Sequence, residues 1–579
     1  MQTQLFFSIF RNRYLNQKIF ISLYDYYIVK DITRLDKQYD HLCLLNSKNV
    51  PVVYYILNID HYHIYCSHKH KSLITHIIVS SVFYVCHYQN LLQESQPLPI
   101  LFGLTTDRVG DPIILANKLP PSVQYYKYTI GGSITKDLIP ESVTSLHLCM
   151  DRLDADVLPN KVKTLILTLK SSELGNKKCE FNVRYIPRST NSLTLYDCDN
   201  RFYDLDINLL PTNLTYLNVN RNIKNHGFGS LKYLSMTCND IYPKITIPNS
   251  VTHLELINCQ LNEKSIHLSP NLTFLHLDRT CQENKDTIPI PEPLPRNLKT
   301  LRLEKYSNKV VTQFNCPPNL ISYSNVNTKE EKDLPYIPPT ATKVSICYFH
   351  RPWTKNQMPP IVPLTVTDLK MNSPYHDIPI GYFTNNIAKL DLTSIGDLTP
   401  GAIPPSVTDL SLNLYPTTIE KLNNGLLSGL IPNGVIKLAL KCNYSVVPGS
   451  MKLPDTVTSL SISSYIPKPI TLVPTSRCLK TLKVYNLDFK EFSLTSLPPT
   501  LTKLCTSTQG YNSFQDTYDI VCPIYDNSKF PSNIKQVKFK NIHHNKDETD
   551  QSFHFIDGDK VYRETNEPLN PFLSRIKNK

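Results

Sequence analysis

The residues best suited to chemistry lie close together near the start of the chain: His61, His63, Cys66, His68 and His70. Imidazole and thiolate are zinc ligands, and this density of them could hold the ion. Alternation along an extended segment would put His61 and His63 on one face of a strand, and His68 and His70 likewise. No C-x-x-C pair accompanies them, and no second ligand pair sits at finger-like spacing. The spacing fits a polar hairpin or loop better, so neither a metal nor any other cofactor is expected. Catalytic motifs are missing too: there is no GxxxxGK[ST], HExxH, GxSxG or GxGxxG. Gly131-Gly132-Ser133 reads as a turn. Asp, His and Ser recur by repeat register, which explains their spacing without chemistry. No catalytic residue is assigned, and the chain is not read as an enzyme.

What organises the chain is a recurring string, IPESVTSLHL from Ile139, which returns as IPNSVTHLEL from Ile247, IPPSVTDLSL from Ile403 and LPDTVTSLSI from Leu453. With its Pro taken as position zero, apolar residues fall at plus three, plus six and plus eight. On that ruler about 19 units run from Pro120 to Pro531, at a mean spacing of about 23 residues. The weakest are the units at Pro120 (Val123, Tyr126, Tyr128) and Pro317 (Leu320, Tyr323, Asn325). Val-x-x-Leu-x-Leu predicts a short strand with its last two anchors on one face. One such strand cannot bury that face, but parallel stacking completes a ladder and a continuous core. Some 15 residues per unit remain for the return path, seldom enough for a full helix. Pro marks the corner, since it cannot donate to a ladder and holds its predecessor extended. Plus four is Thr in nine units, among them Thr144, Thr252, Thr408 and Thr458, and Lys in five more. Repeated hydroxyls there form a polar ladder or bond the neighbouring backbone.

The expected fold is therefore a repeat solenoid, mainly β, of short parallel strands in a leucine-rich-repeat-like array. Residues 1–97 lack the repeat and are assigned to a small helical or α+β cap; 98–545 form the solenoid, and 546–579 a charged tail. Within the cap, Leu5, Phe6, Ile9, Phe10, Tyr14 and Leu15 have the spacing of an amphipathic helix. VPVVYYILNI from Val50 is strand-like, and SLITHIIVSSVFYVCHY from Ser72 fits a buried helix or a pair of strands.

Composition narrows the function classes. The 579 residues are 41% hydrophobic and 19% charged, ordinary for a folded soluble protein. The 44 Pro against 16 Gly point to turns set by a fixed φ. A net charge of +12 without a basic block argues against nucleic acid as partner. The 15 cysteines have no framework spacing and read as free thiols. No run of 18 apolar residues occurs, and the opening MQTQLFFSIFRNRYL is too short in apolar residues for a signal-peptide core. A cytoplasmic protein with no membrane segment is expected.

The units IPESVTSLHL, IPNSVTHLEL, IPPSVTDLSL, LPDTVTSLSI and LPPTLTKLCT resemble FNIP repeats, the leucine-rich-like arrays of social amoebae, over roughly residues 115–545. The Phe-Asn pair that names the family survives as Phe181-Asn182 and Phe314-Asn315. The resemblance implies a solenoid but no common activity. FFSIFRNRYLNQKIF resembles the short helical start of such proteins, some of which are F-box-like. That implies an alternative role as substrate receptor for a ubiquitin ligase, with residues 1–97 docking the adaptor.

If the anchors point inward, plus five and plus seven form the open face, the usual binding surface of a solenoid. Plus five reads Tyr216, Tyr233, His253 and Phe274 in consecutive units, with His276 and then Arg302 at plus seven. These six are the candidate contacts for a protein partner, aromatic stacking for stability being the competing explanation. Further on, plus five alternates in sign through Lys343, Asp368, Lys389, Asp409 and Lys437, which reads as lateral charge matching. The chain is thus read as a non-enzymatic interaction scaffold.

Overall fold

The computed structural model describes residues 27–29, 32, 35–94, 99–106, 119–129, 134–150, 153–169, 182–197, 205–220, 223–224, 229–237, 245–258 and 266–278. Beyond these it describes 293–305, 311–312, 315–326, 336–347, 362–372, 378, 380–393, 398–414, 430–442, 453–464, 477–485, 497–508, 536–541, 549–556 and 560–563. The chain divides into two compact units, residues 1–260 with 265–269, and residues 261–264 with 270–579. Each is a stack of short parallel strands, a leucine-rich-repeat-like solenoid of the expected class.

The first unit begins with alternating strands and helices: β1 (Tyr27–Val29), α1 (Leu35–Ser47), β2 (Val52–Ile56), α2 (Ile59–Ser67), β3 (His76–Ser80), α3 (Ser81–Glu94) and β4 (Ile100–Thr106). The four strands pair in parallel and in chain order, and β4 continues onto the strand Tyr125–Tyr128. The ladder therefore runs through residues 27–106, with helices as return paths. SLITHIIVSSVFYVCHY is neither one buried helix nor two strands, but β3 followed directly by α3. The turn is made at Ser80, whose hydroxyl accepts the Phe83 amide at 3.1 Å. The histidine-rich stretch is also helical: His61 and His63 lie on α2, which starts where the Asn58 side chain accepts the His61 amide at 2.9 Å. Residues two apart on a helix do not share a face, so the expected strand alternation is overturned. The helix expected over Leu5–Leu15 lies outside the described residues.

Strands of the repeat follow at Ser145–Met150, Thr164–Leu169, Ser192–Asp197, Tyr216–Val219, Tyr233–Thr237 and His253–Ile257, each parallel to its predecessor, and all but Tyr233–Thr237 are led by proline. Among the described residues, return paths include single 3-10 turns, such as Lys136–Leu138 and Val183–Tyr185. In the second unit the parallel ladder runs from Phe274–Asp278 through Asp368–Asn372 and Lys437–Cys442 to Gln536–Asn541. There the direction changes. Thr549–Ile556 pairs antiparallel with Gln536–Asn541, and Lys560–Arg563 antiparallel with Thr549–Ile556.

The anchors form the core as expected: Val143, Leu146 and Leu148 are buried, and so are Val407, Leu410 and Leu412. Even the weak units hold register. Tyr126 and Tyr128 are buried in one, Tyr323 and Asn325 in the other. Burial pushes the Tyr126 hydroxyl up to about 12, with Tyr128 adding to the shift and a hydrogen bond with Thr106 opposing it. The proline begins a β-turn: its carbonyl accepts the plus-three amide, as in Val143 to Pro140 at 3.0 Å and Val457 to Pro454 at 3.1 Å.

Three columns of hydrogen bonds then tie unit to unit. The plus-four carbonyl accepts both the plus-four and plus-five amides of the next unit; Thr144 takes Lys163 at 2.7 Å and Thr164 at 3.0 Å. Where plus four is Thr, its hydroxyl donates to the same carbonyl, as in Thr215 to Asn191 at 3.0 Å and Thr408 to Ala388 at 3.2 Å. Of the two roles open to that column, the backbone bond is the one observed. The third column, at plus two, was not apparent from the sequence. Ser122, Ser142, Ser189, Ser406 and Thr500 each donate to the plus-three carbonyl of the preceding unit, Ser142 to Val123 at 2.6 Å.

Gly434 occupies that plus-two position and shows what the column tolerates: a Cβ there would stand 2.1 Å from the Pro405 carbonyl oxygen. Gly434→Ala should therefore be destabilising by about 1–3 kcal/mol, as expected for overpacking. Leu410→Ala, at a fully buried anchor, should lose about 2–5 kcal/mol. Urea unfolding followed by circular dichroism checks both. A Gly434→Ala midpoint equal to wild type would show that the two turns do not approach so closely.

Candidate functional site

Because plus six and plus eight point inward, strand alternation turns plus five, plus seven and plus nine toward solvent. In the first unit the structure brings three of the candidate residues together. The rings of Tyr216 and Tyr233 stack with centroids 4.3 Å apart and planes 9° apart, and Tyr233 and His253 stack at 4.5 Å and 21°. Parallel register makes this possible, since Tyr216 pairs with Tyr233 and Tyr233 with His253. The stabilising stack weighed against partner binding is thus present, and it covers most of the flat surfaces of these rings. The outer faces of Tyr216 and His253 lie at the two ends of the stack. On its other side Tyr216 pairs with Ser192, and Ser192 in turn with Thr164. Neither side chain is long enough to cover a phenol ring.

Beneath the stack sits Glu255, at plus seven. Its Oε2 accepts the Tyr233 hydroxyl at 2.7 Å, and its Oε1 lies 3.4 Å from His253 Nε2. Burial by itself would raise the carboxyl, but hydrogen bonds from Tyr233, His253 and Ser235 outweigh it and hold Glu255 below its ordinary value. Burial and the bond to this carboxylate together push the Tyr233 hydroxyl far above the usual phenol range. Ser235, nominally outward, is consequently buried.

In the second unit the remaining candidates separate in character. Phe274 is half-buried and pairs with Thr300. His276 is only 8% exposed and offers little to a partner. Arg302 is more than half exposed and forms an ion pair with Glu304 Oε1, which also lies 3.4 Å from His276 Nε2. The residues that sequence reasoning missed are Asp278 and Glu304, at plus nine. Continuing the strand alternation one step past plus eight would have found them. Further along, Asp368 meets Lys389 at 3.5 Å and Asp409 meets Lys437 at 3.9 Å, the lateral charge matching expected. Such exposed pairs contribute about 0–1 kcal/mol each.

Among the described residues no three donors of the His61–His70 stretch come together, although the His68 and His70 rings lie 6.1 Å apart. Instead the His61 ring lies by Tyr54 and the His63 ring by Tyr62, while the His70 ring packs on Tyr39 with centroids 4.8 Å apart. Cys43, Cys149 and Cys347 carry free thiols. Among the described residues no helix is long and apolar enough to cross a membrane.

No family model matches the chain, and no curated protein matches it. A solved structure described as a novel circular LRR protein, CroV588, is similar over 76% of this chain and 71% of its own. The identity is 20% and the TM-score 0.41.

The Glu255 environment predicts a pH signature. A carboxyl held low contributes stability that is present above its ordinary value of 4.5 and is lost as pH falls through the lower folded-state value. Glu255→Gln should therefore lower stability by about 1 kcal/mol near pH 7, allowing for partial exposure. The gap should shrink as pH drops below the carboxylate range. Thermal melts of both proteins at pH 7, 5 and 3.5 check this; a gap constant with pH would mean that Glu255 is not held low.

Proposed function

We propose that this chain is a non-enzymatic scaffold that binds a protein partner on the open face of its parallel sheet, in repeats resembling the FNIP type. The observation that carries the reading is the place of Tyr216 at the end of the Tyr216–Tyr233–His253 stack, with Ser192 and not another ring as its cross-strand neighbour on the far side. An aromatic ring held by a stacked neighbour loses little conformational entropy on binding, which favours it as an anchor. Ser192 and Thr164 beside it form a shallow polar floor, so an inserted apolar or planar side chain of a partner would stack on Tyr216 above hydroxyl groups. A leucine-rich-repeat-like array suits this role more generally, because it presents one extended face and places no catalytic motif on it.

Replacing Tyr216 with Ser removes the anchor at the end of the stack without opening the core. Cross-linked partners recovered with the intact chain should fall at least tenfold in Tyr216→Ser and remain unchanged in Thr300→Ala, in the second unit. Equal recovery from all three, with melting temperatures alike, would remove Tyr216 from the binding surface.

A further inference from the structure

We propose that His276, Asp278 and Glu304 form a binding site for a divalent transition-metal cation of the zinc and manganese class, which Arg302 occupies in the cation-free protein. The site lies within the second unit.

Strand geometry assembles it. His276 and Asp278 are two residues apart on Phe274–Asp278 and therefore share a face. Glu304 ends the neighbouring parallel strand Thr300–Glu304, where it pairs with Asp278, while Arg302 pairs with His276. One nitrogen and two carboxylate oxygens from the three residues all lie within 4.8 Å of one another. The His276 Nε2 to Glu304 Oε1 distance of 3.4 Å matches the donor–donor edge of about 3.4 Å expected for a tetrahedron with bonds of about 2.1 Å. No other group of three such donors among the described residues converges in this way.

Charge supplies an independent reason. Elsewhere in this unit opposite charges face each other across strands, Asp368 with Lys389 and Asp409 with Lys437. Here two carboxylates are direct cross-strand partners, an arrangement that is destabilising unless a cation offsets it. The chain supplies one in the Arg302 guanidinium, on Glu304. That side chain is 53% exposed, so it can swing into solvent with no core to rebuild. A divalent ion brings twice the charge and bonds all three donors at once. His276, 8% exposed, is held from moving, whereas the half-buried carboxylates leave the outer side open for water or a further ligand. A mixed imidazole and carboxylate donor set suits zinc and manganese, while calcium and magnesium prefer oxygen alone.

The test uses the full chain freed of metal with a chelator, titrated calorimetrically with zinc alone, then with manganese and with calcium. One zinc per chain should bind beyond any seen in Glu304→Gln, a nearly isosteric change at a half-buried position. Manganese should bind more weakly and calcium not at all. His276→Asn should also remove that zinc, with circular dichroism confirming that both variants remain folded. Arg302→Ala is the decisive variant: loss of the competing cation should tighten zinc binding at least threefold, whereas a purely structural ion pair gives no gain. Equal zinc uptake by wild type and Glu304→Gln, or weaker binding in Arg302→Ala, would overturn the proposal.

Discussion

One carbonyl per unit governs this protein. The plus-four oxygen receives two amides from the following unit, and a threonine hydroxyl where the sequence provides one, so consecutive units are locked at a single offset. Hydrogen bonds of about 0.5–1.5 kcal/mol each are individually modest. Their value lies in repetition and in what a slip would do. A shift by one residue would turn Leu146 and Leu148 outward and bring Ser145 and His147 into the core. The buried anchors and the carbonyl column therefore enforce the same register from opposite sides.

That lock gives side chains on the open face their properties. Tyr216, Tyr233 and His253 stack because their Cα atoms are placed strand upon strand at identical positions, and Glu255 accepts from Tyr233 because plus five and plus seven project together. The same lattice brings Asp278 against Glu304, and Lys389 against Asp368. Attraction or repulsion between neighbours is decided by which residue the repeat leaves free, since the spacing does not vary. A local, unit-by-unit choice of residue is thereby converted into rows of defined chemistry.

Much of this was legible in advance where burial constrains residue type. Val143, Leu146, Leu148 and their counterparts identify the core, and the proline before them marks the turn. The plus-two column was hidden because Ser142, Asn213 and Gly434 meet the same corner in different ways, so no single residue type marks it. The helices in residues 35–94 were hard to see for another reason. α3 follows β3 without a gap, and the run is apolar through both, so neither period stands out. His61 and His63 misled because alternation of polar and aromatic residues over a nine-residue helix imitates a strand. In the candidate site, sequence identified the aromatic row and raised stacking as one of two readings, without deciding between them. Ring orientation depends on χ angles, and those follow from packing.

The antiparallel pair after Asn541 has a consequence for how such an array could lengthen. Every preceding strand of the second unit points the same way, so another unit could join by repeating the same corner and crossover. Thr549–Ile556 reverses that direction and Lys560–Arg563 restores it, so it is Thr549–Ile556 that does not offer the rim a proline-led unit is built to meet. Among the described strands, both rims match for a unit between parallel neighbours, whereas Thr549–Ile556 offers a reversed one. Within the described strands, one reversed strand interrupts a grammar that otherwise repeats.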